Sequence, residues 1–260
     1  MDMLFVITIF LIGFVGSFIS GMVGVGGSII KYPMLLFIPP FLGFAAFSAH
    51  EVSGISAVQV FFATIAGAWA YRGTGYLHMR LILYMGSSIL IGSFIGAFAS
   101  SYFPESSVNV VYAGLATIAA VLMFLPKKQR PDQPVEKLSF HRGLASGLSF
   151  IVGIASGIVG AAGSFLLVPI MLTVLRLPTR VTIATSLAVT FLSSIGSAAG
   201  KVATDQVLYG PAAVMIIASL IASPLGAKLG QRMNTRLLKA MLAVLILATA
   251  VQVWVDLLVG

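Results

Sequence analysis

The chain has 260 residues, of which 59% are hydrophobic and 8% charged, and its mean hydropathy is +1.07. This composition excludes a soluble globular domain, because such domains cover their surface with charged and polar residues. The net charge of +8 does not indicate a nucleic-acid partner, because the Lys and Arg residues lie in short stretches between apolar runs. An integral membrane protein is therefore predicted.

Ten apolar segments follow one another along the chain, and the longest have the length of about 20 residues that a membrane-spanning helix requires. Barrel strands would instead alternate over about 10 residues, so an all-α polytopic protein is predicted. Each half of the chain contributes five segments, namely 3–22, 29–47, 52–71, 80–102 and 107–126, then 143–158, 165–176, 181–200, 207–227 and 236–257.

The two halves are predicted to be membrane repeats over residues 1–126 and 143–260. Between them, residues 127–142 are polar and proline-rich, and their positive charges predict a cytoplasmic linker. Alternation from that linker places both termini outside, and of the fifteen Lys and Arg residues only Lys31 and Lys201 fail to fall in an inner loop. Because five is an odd number, the second repeat is expected to be inverted relative to the first.

A glycine-rich turn occurs at matching positions of the two halves. Residues 20–28, Ser-Gly-Met-Val-Gly-Val-Gly-Gly-Ser, return as residues 156–164, Ser-Gly-Ile-Val-Gly-Ala-Ala-Gly-Ser, and Pro33 returns as Pro169. Prolines interrupt or shorten the segment after each turn, so the first two segments of each half are expected to form a broken or re-entrant hairpin. Matched breaks in duplicated halves are typical of secondary transporters whose site lies where the breaks meet.

Each turn precedes a helix that is predicted to begin near Ser28 or Ser164. The free N–H groups and the positive dipole end of such a helix favour an anion, and glycine lets the backbone approach it. The anion is therefore expected between the two turns. The predicted substrate-binding residues of the turns are Gly24, Gly26, Gly27, Ser28, Gly160, Gly163 and Ser164.

Lys31 follows the first turn, and Leu167 stands at the corresponding position of the second half. Two interpretations are open: a fixed positive charge that faces the anion, or a side chain that snorkels to the cytoplasmic interface. Gln59 and Asn109 are polar residues in apolar runs and are interpreted mainly as helix contacts. Small residues at four-residue spacing predict close helix packing, as in Gly92-Gly96-Ser100, Gly153-Gly157, Gly196-Gly200 and Gly226-Gly230.

The paired glycine turns followed by proline resemble the sulfite exporter TauE/SafE family over essentially the whole chain. The first turn matches the family through Gly24, Gly26, Gly27 and Pro33, whereas the second has Ala162 where glycine is frequent. The resemblance implies a bacterial inner-membrane carrier of sulfite, sulfonates or other small organosulfur anions.

In this family the third segment of each half tends to begin with a small residue followed by Thr and Ser. The second half keeps this as Ala184-Thr185-Ser186, which adds Thr185 and Ser186 to the predicted substrate-binding residues, but the first half has Ala49-His50-Glu51. The Glu51 carboxylate repels a nearby anion unless a proton or cation binds together with the anion. Glu51 is therefore a candidate coupling residue for a proton or sodium ion, with His50 or Thr64 as its hydrogen-bond partner. The alternative is that both residues merely mark the outer interface.

The sequence contains no enzyme-like constellation, and no cofactor or metal is predicted. The three His residues lack metal-ligand spacing, the carboxylates are too scattered for paired acid–base catalysis, and cysteine is absent. The predicted function is export of a small sulfur-containing anion by alternating access. A passive anion channel on the same fold and a non-transporting scaffold are the alternatives, and the coupling ion and a homo-oligomeric state are left open.

Overall fold

The computed structural model describes residues 2–25, 28–124, 138, 140–161 and 163–259, so most of the predicted linker lies outside the described residues. The regular structure within these residues is helical throughout, which confirms the predicted all-α class and the ten segments. The helices are α1 Met3–Val23, α2 Ser28–Phe41, α3 Ala49–Ala70, α4 Met79–Ala99, α5 Glu105–Phe124, α6 Arg142–Val159, α7 Ser164–Thr173, α8 Thr179–Ala203, α9 Tyr209–Arg232 and α10 Thr235–Val259, and a 3₁₀ turn, Ser100–Tyr102, follows α4.

Eight of these helices are long and apolar enough to cross a membrane, so the protein is a multi-pass membrane protein. The exceptions are α2 and α7, which have 14 and 10 residues and contain prolines. At a rise of about 1.5 Å per residue they extend about 21 and 15 Å, well short of a hydrocarbon core of about 30 Å. The segment after each glycine turn is therefore short, as predicted, and α2 and α7 begin at Ser28 and Ser164, where a helix start was expected.

Both glycine turns begin as left-handed caps of the preceding helix. Gly24 has φ 79° and its N–H donates to Ser20 O at 2.9 Å, while Gly160 has φ 71° and its N–H donates to Gly157 O at 3.1 Å. Only glycine adopts this conformation without a steric penalty, so the cap accounts for one glycine in each turn.

The two halves of the chain interlock through close helix contacts. Helix α1 packs against α9 and α4 packs against both α6 and α8. A Cβ atom on Gly226 would overlap Phe18 O, and one on Gly157 would overlap Ser93 O. The four-residue glycine patterns therefore mark close backbone approach, as predicted.

Contacts along these helix pairs give their relative directions. Helices α1, α3 and α9 are parallel to one another, and so are α4, α6 and α8. In each contacting pair, earlier residues of one helix contact earlier residues of the other, and later residues contact later ones. The contacts are Gly13 with Met215 and Gly21 with Ser223 for α1 and α9, Ala63 with Ser223 and Ala70 with Gln231 for α3 and α9, Ile89 with Gly153 and Ser93 with Gly157 for α4 and α6, and Gly86 with Leu192 and Phe98 with Gly200 for α4 and α8.

Helices α3 and α8 are antiparallel, so the group α1, α3 and α9 runs opposite to the group α4, α6 and α8. The rings of Phe61 and Phe191 lie 5.3 Å apart, whereas Leu187, earlier in α8, contacts Gly67, later in α3. Consequently α1 and α3 of the first half run opposite to α6 and α8 of the second.

Candidate functional site

The first glycine turn lies beside the start of α8. Ser186 Oγ donates to Gly24 O at 2.7 Å, and a Cβ atom on Gly24 would lie 2.8 Å from the Ile183 backbone. Thr185 supports the same region, because its Oγ1 accepts from His78 N at 3.1 Å. The structure thus brings together Gly24, Thr185 and Ser186, three of the predicted substrate-binding residues.

The second glycine turn lies beside the start of α3. Ser53 Oγ donates to Ile158 O at 3.2 Å, and a Cβ atom on Gly160 would overlap Ser53 O. Ser53 was not among the predicted site residues. It takes the place at the second turn that Ser186 has at the first.

The two turns do not meet, contrary to the expectation from sequence. Leu187, next to Ser186, contacts Gly67 near the end of α3, whereas Ser53 lies near its beginning. Fourteen residues of helix separate those two levels, which is about 21 Å. The physical reason is the length of α1 and α6, which have 21 and 18 residues, so each traverses the bundle before its turn.

Other predicted turn residues are only partly described. Gly26 and Gly27 lie outside the described residues. Ser28 and Ser164 are the first residues of α2 and α7, and Gly163 has φ 68° at the N-cap of α7, where its carbonyl accepts from Leu167 N at 2.9 Å.

Lys31 in the first turn of α2 is 0% exposed. Its Nζ donates to Gln59 Oε1, and Gln59 Nε2 in turn donates to Ser17 Oγ at 2.8 Å and to Ser219 Oγ. The side chain therefore turns into the bundle and does not snorkel to an interface. We call Lys31, Gln59, Ser17 and Ser219 the Lys31 cluster.

The Lys31 cluster lies at mid-depth and joins both halves of the protein. Gln59 is central in α3 and Ser219 is central in α9, while Ser17 belongs to α1. Gly16 makes room for the lysine, because a Cβ atom there would overlap Lys31 Cγ. Helices α1, α2 and α3 of the first half and α9 of the second thus form the cluster.

The Lys31 cluster places an ionisable amine at a depth where charge is costly. Among the described residues the hydrogen-bond acceptor of Lys31 is a neutral amide oxygen, not a carboxylate. A buried ammonium without an opposite charge is unfavourable, and an anion brought next to it would offset that cost. The cluster is therefore suited to an anion with oxygen acceptors.

The sequence contained a weak signal for this cluster. Gln59 stood out as an amide in an apolar run, although it was interpreted as a helix contact. Ser17 and Ser219 carried no signal that distinguishes them from the many other small residues of the chain. Only the packing of α1 and α9 on α3 brings the three together.

Lys201, near the end of α8, is the other fully buried lysine among the described residues. Its Nζ donates to Ser100 Oγ at 2.7 Å, Gln206 Oε1 at 2.8 Å and Ile158 O at 3.0 Å. Three acceptors match its three N–H donors, and Ile158 O belongs to the last turn of α6, where positive charge is favourable. Lys201 therefore stabilises the end of the helix that precedes the second glycine turn.

Glu51 completes a capping box at the start of α3. Its carboxylate accepts from Ser48 N at 2.8 Å, and Ser48 Oγ accepts from Glu51 N at 3.2 Å. Thr64 Oγ1 donates to Val60 O at 2.7 Å within its own helix. The Ser-x-x-Glu spacing was a readable signal for this cap. Glu51 thus bonds to Ser48, not to the expected partners His50 or Thr64.

His50 faces the loop between α8 and α9. Its Nδ1 lies 3.1 Å from Gln206 Oε1 and its Nε2 lies 3.1 Å from Phe103 O. Because Gln206 also bonds to Lys201, His50 belongs to the polar surroundings of the second turn.

Comparison with known proteins agrees with this architecture. The model of the family described as "Sulfite exporter TauE/SafE" matches residues 9–253. The probable membrane transporter protein YunE of Bacillus subtilis is 27% identical over 232 residues, which cover 82% of this chain and 84% of YunE. YdhB of the same organism, also a probable membrane transporter protein, is 26% identical over 80% of this chain and 81% of its own length.

A probable membrane transporter protein of Methanocaldococcus jannaschii is 24% identical over 81% of this chain and 78% of its own length. No solved structure matches the chain significantly. The family match spans nearly the whole chain, and it agrees with eight apolar spans and a buried polar centre. The chain therefore belongs to the sulfite exporter TauE/SafE family and is a polytopic membrane transporter.

Proposed function

We propose that the protein is a secondary transporter that exports a small sulfur-containing anion, such as sulfite or a sulfonate, across the bacterial inner membrane. The observation that carries this proposal is Lys31, fully buried at mid-depth against a neutral amide. The family description supports the class of anion.

The chemistry of the Lys31 cluster fits a sulfur oxyanion. Sulfite and sulfonate oxygens accept hydrogen bonds, and the cluster brings an ammonium, an amide and two hydroxyls into one group of contacts. Of these the Ser219 hydroxyl already donates to Met215 O. When the anion enters, its oxygen replaces Gln59 Oε1 as the acceptor of Lys31, and the new bond is charge-assisted and stronger than the one it replaces. The two N–H donors of Gln59 Nε2 stay bonded to Ser17 Oγ and Ser219 Oγ, so it is Lys31 that donates to the anion.

Alternating access is proposed to arise from two inverted repeats. The opposite directions of α1 and α6, and of α3 and α8, support the inversion, as does the matched order of contacts in the two halves. Because α9 of the second repeat closes the Lys31 cluster of the first, rocking of one repeat against the other would open that cluster. Both termini are proposed to lie outside, from the Lys and Arg distribution.

The test is anion binding by purified Lys31→Met protein. In the wild type, free anion at about 100 times its Kd raises the unfolding free energy by about 2.7 kcal/mol. We expect sulfite, thiosulfate or a sulfonate to raise the melting temperature of the wild type and not of Lys31→Met. Lys228→Met, at an exposed position of α9, is the matched control and should respond as the wild type does.

Wild-type affinity in a folded Lys31→Met protein would contradict the proposed site. Flux in proteoliposomes separates the mechanisms. A carrier gives saturable flux with counterflow, whereas a passive channel gives neither. A scaffold gives no flux and no anion-dependent stabilisation.

A further inference from the structure

Helix α8 carries a continuous polar stripe on one face. We call it the α8 stripe, and it consists of Ser186, Thr190, Ser193, Ser197 and Lys201. Their spacings of four, three, four and four residues place them along one side of a helix. All five side chains are fully buried.

The α8 stripe connects the two glycine turns. At one end Ser186 Oγ donates to Gly24 O, and at the other Lys201 Nζ donates to Ile158 O, in the last turn before Gly160. Fifteen residues of helix separate these ends, which is about 22 Å. The stripe thus covers the separation of about 21 Å between the turns, which do not meet directly.

The central hydroxyls of the stripe are buried without a hydrogen-bond partner among the described residues. They are Thr190 Oγ1, Ser193 Oγ and Ser197 Oγ. Other buried hydroxyls donate to a carbonyl of their own helix, as Thr64 does to Val60 O at 2.7 Å. Three hydroxyls outside the stripe, those of Ser56, Ser149 and Thr182, likewise lack a partner among the described residues. Unpartnered buried hydroxyls are unfavourable in a dry interface and are satisfied where water or a polar ligand passes.

The middle of the stripe lies level with the Lys31 cluster. Phe61 of α3 contacts Phe191 of α8, and the two helices run in opposite directions. Gln59 precedes Phe61 by two residues and Ser193 follows Phe191 by two, so the two side chains lie at the same depth.

We propose that the α8 stripe is the path along which the anion and its water pass between the two glycine turns. This inference rests on the proposed transport function and adds the route. Neutral hydroxyls donate hydrogen bonds to an anion but bind it less strongly than a charged group does. Such groups are suited to a path along which the anion moves, and less suited to a high-affinity binding site. Lys31 supplies the charged site partway along this path.

The absence of cysteine from the chain allows a direct test. Single cysteines at 190, 193 and 197 are treated with a water-soluble anionic thiosulfonate in proteoliposomes. Only thiolate reacts, and thiolate forms where water reaches the sulfur. Ile195→Cys is the matched control, because this residue is 36% exposed on the opposite side of α8, where the helix faces lipid.

We expect the stripe cysteines to react about tenfold faster than the cysteine at position 195, because thiolate forms only on the hydrated side. Methanesulfonate, which does not consume the reagent, should slow their reaction and leave the control unchanged. Ser193→Cys and Ser197→Cys each change a single atom, so they carry the test if Thr190→Cys does not fold.

Equal, slow labelling of the stripe and the control, in protein that still transports methanesulfonate, would overturn the proposed path and leave transport standing. Fast labelling of the stripe in protein that neither binds nor moves any anion would support a hydrated path but contradict the proposed function.

Discussion

A substitution that places a carboxylate inside the Lys31 cluster tests whether the cluster binds an anion, because the carboxylate takes the place of the anion's negative charge. Gln59→Glu keeps the size of the side chain and places a carboxylate where Lys31 Nζ now meets an amide oxygen. The new carboxylate then occupies the position proposed for the anion. We expect this variant to fold and to lose anion binding.

The magnitude follows from the geometry. Two unit charges about 4 Å apart interact by about 4 kcal/mol at an effective dielectric constant of about 20. In the folded variant the attraction between the introduced carboxylate and Lys31 is largely offset by desolvation of that carboxylate, so stability changes little. An incoming anion, by contrast, meets a like charge, and about 4 kcal/mol corresponds to an affinity about a thousandfold lower.

The assay is calorimetric or thermal-shift titration of purified protein with methanesulfonate and sulfite. Gln252→Glu makes the same chemical change at an exposed position of α10 and is the control. Wild-type affinity in folded Gln59→Glu would refute the assignment of the anion to this cluster. A variant that fails to fold would instead be followed by Gln59→Leu, which removes the acceptor without adding a charge.

Three further predictions concern orientation, the turns and coupling. A cysteine in place of Asp132 should be labelled only from the cytoplasm, and labelling from outside would contradict the proposed topology. Gly160→Ala should lower the unfolding free energy by more than about 1 to 2 kcal/mol, because φ of this residue is positive and the new Cβ atom would overlap Ser53 O. Gly147→Ala is the control and should not lower it in this way, because a Cβ atom there has open space around it. Glu51→Gln should leave the response of transport to a pH or sodium gradient unchanged, because the carboxylate of Glu51 caps α3 and Gln also completes a capping box. Loss of that response with transport retained would assign coupling to Glu51.

The glycine turns illustrate how one sequence pattern combines two physical requirements. Gly24 and Gly160 are required by the left-handed end of a helix, whatever is bound nearby. Each turn is also pressed against the start of a helix from the other half, through Ser186 or Ser53. Chain reversal and helix packing therefore both constrain these turns, and an anion is not needed to explain every glycine in them.

Several features follow from the sequence by itself, because they depend on local chemistry. Apolar segment length predicts ten helices, prolines shorten the second segment of each half, and the helices begin at Ser28 and Ser164 as expected. Small residues at four-residue spacing predict the close contacts of Gly157 and Gly226. Each of these depends on residues within one or two helical turns of one another, where spacing alone determines geometry.

The tertiary structure alone decided which side chains meet. Sequence placed the two glycine turns together, but the lengths of α1 and α6 carry them to opposite ends of the bundle. From the sequence, Lys31 could either face an anion or extend to the cytoplasmic interface. Only the packing of α1, α3 and α9 shows that it is buried against Gln59. Burial and hydrogen-bond partners depend on contacts between residues far apart in the chain, and helical periodicity does not specify which neighbour covers which face.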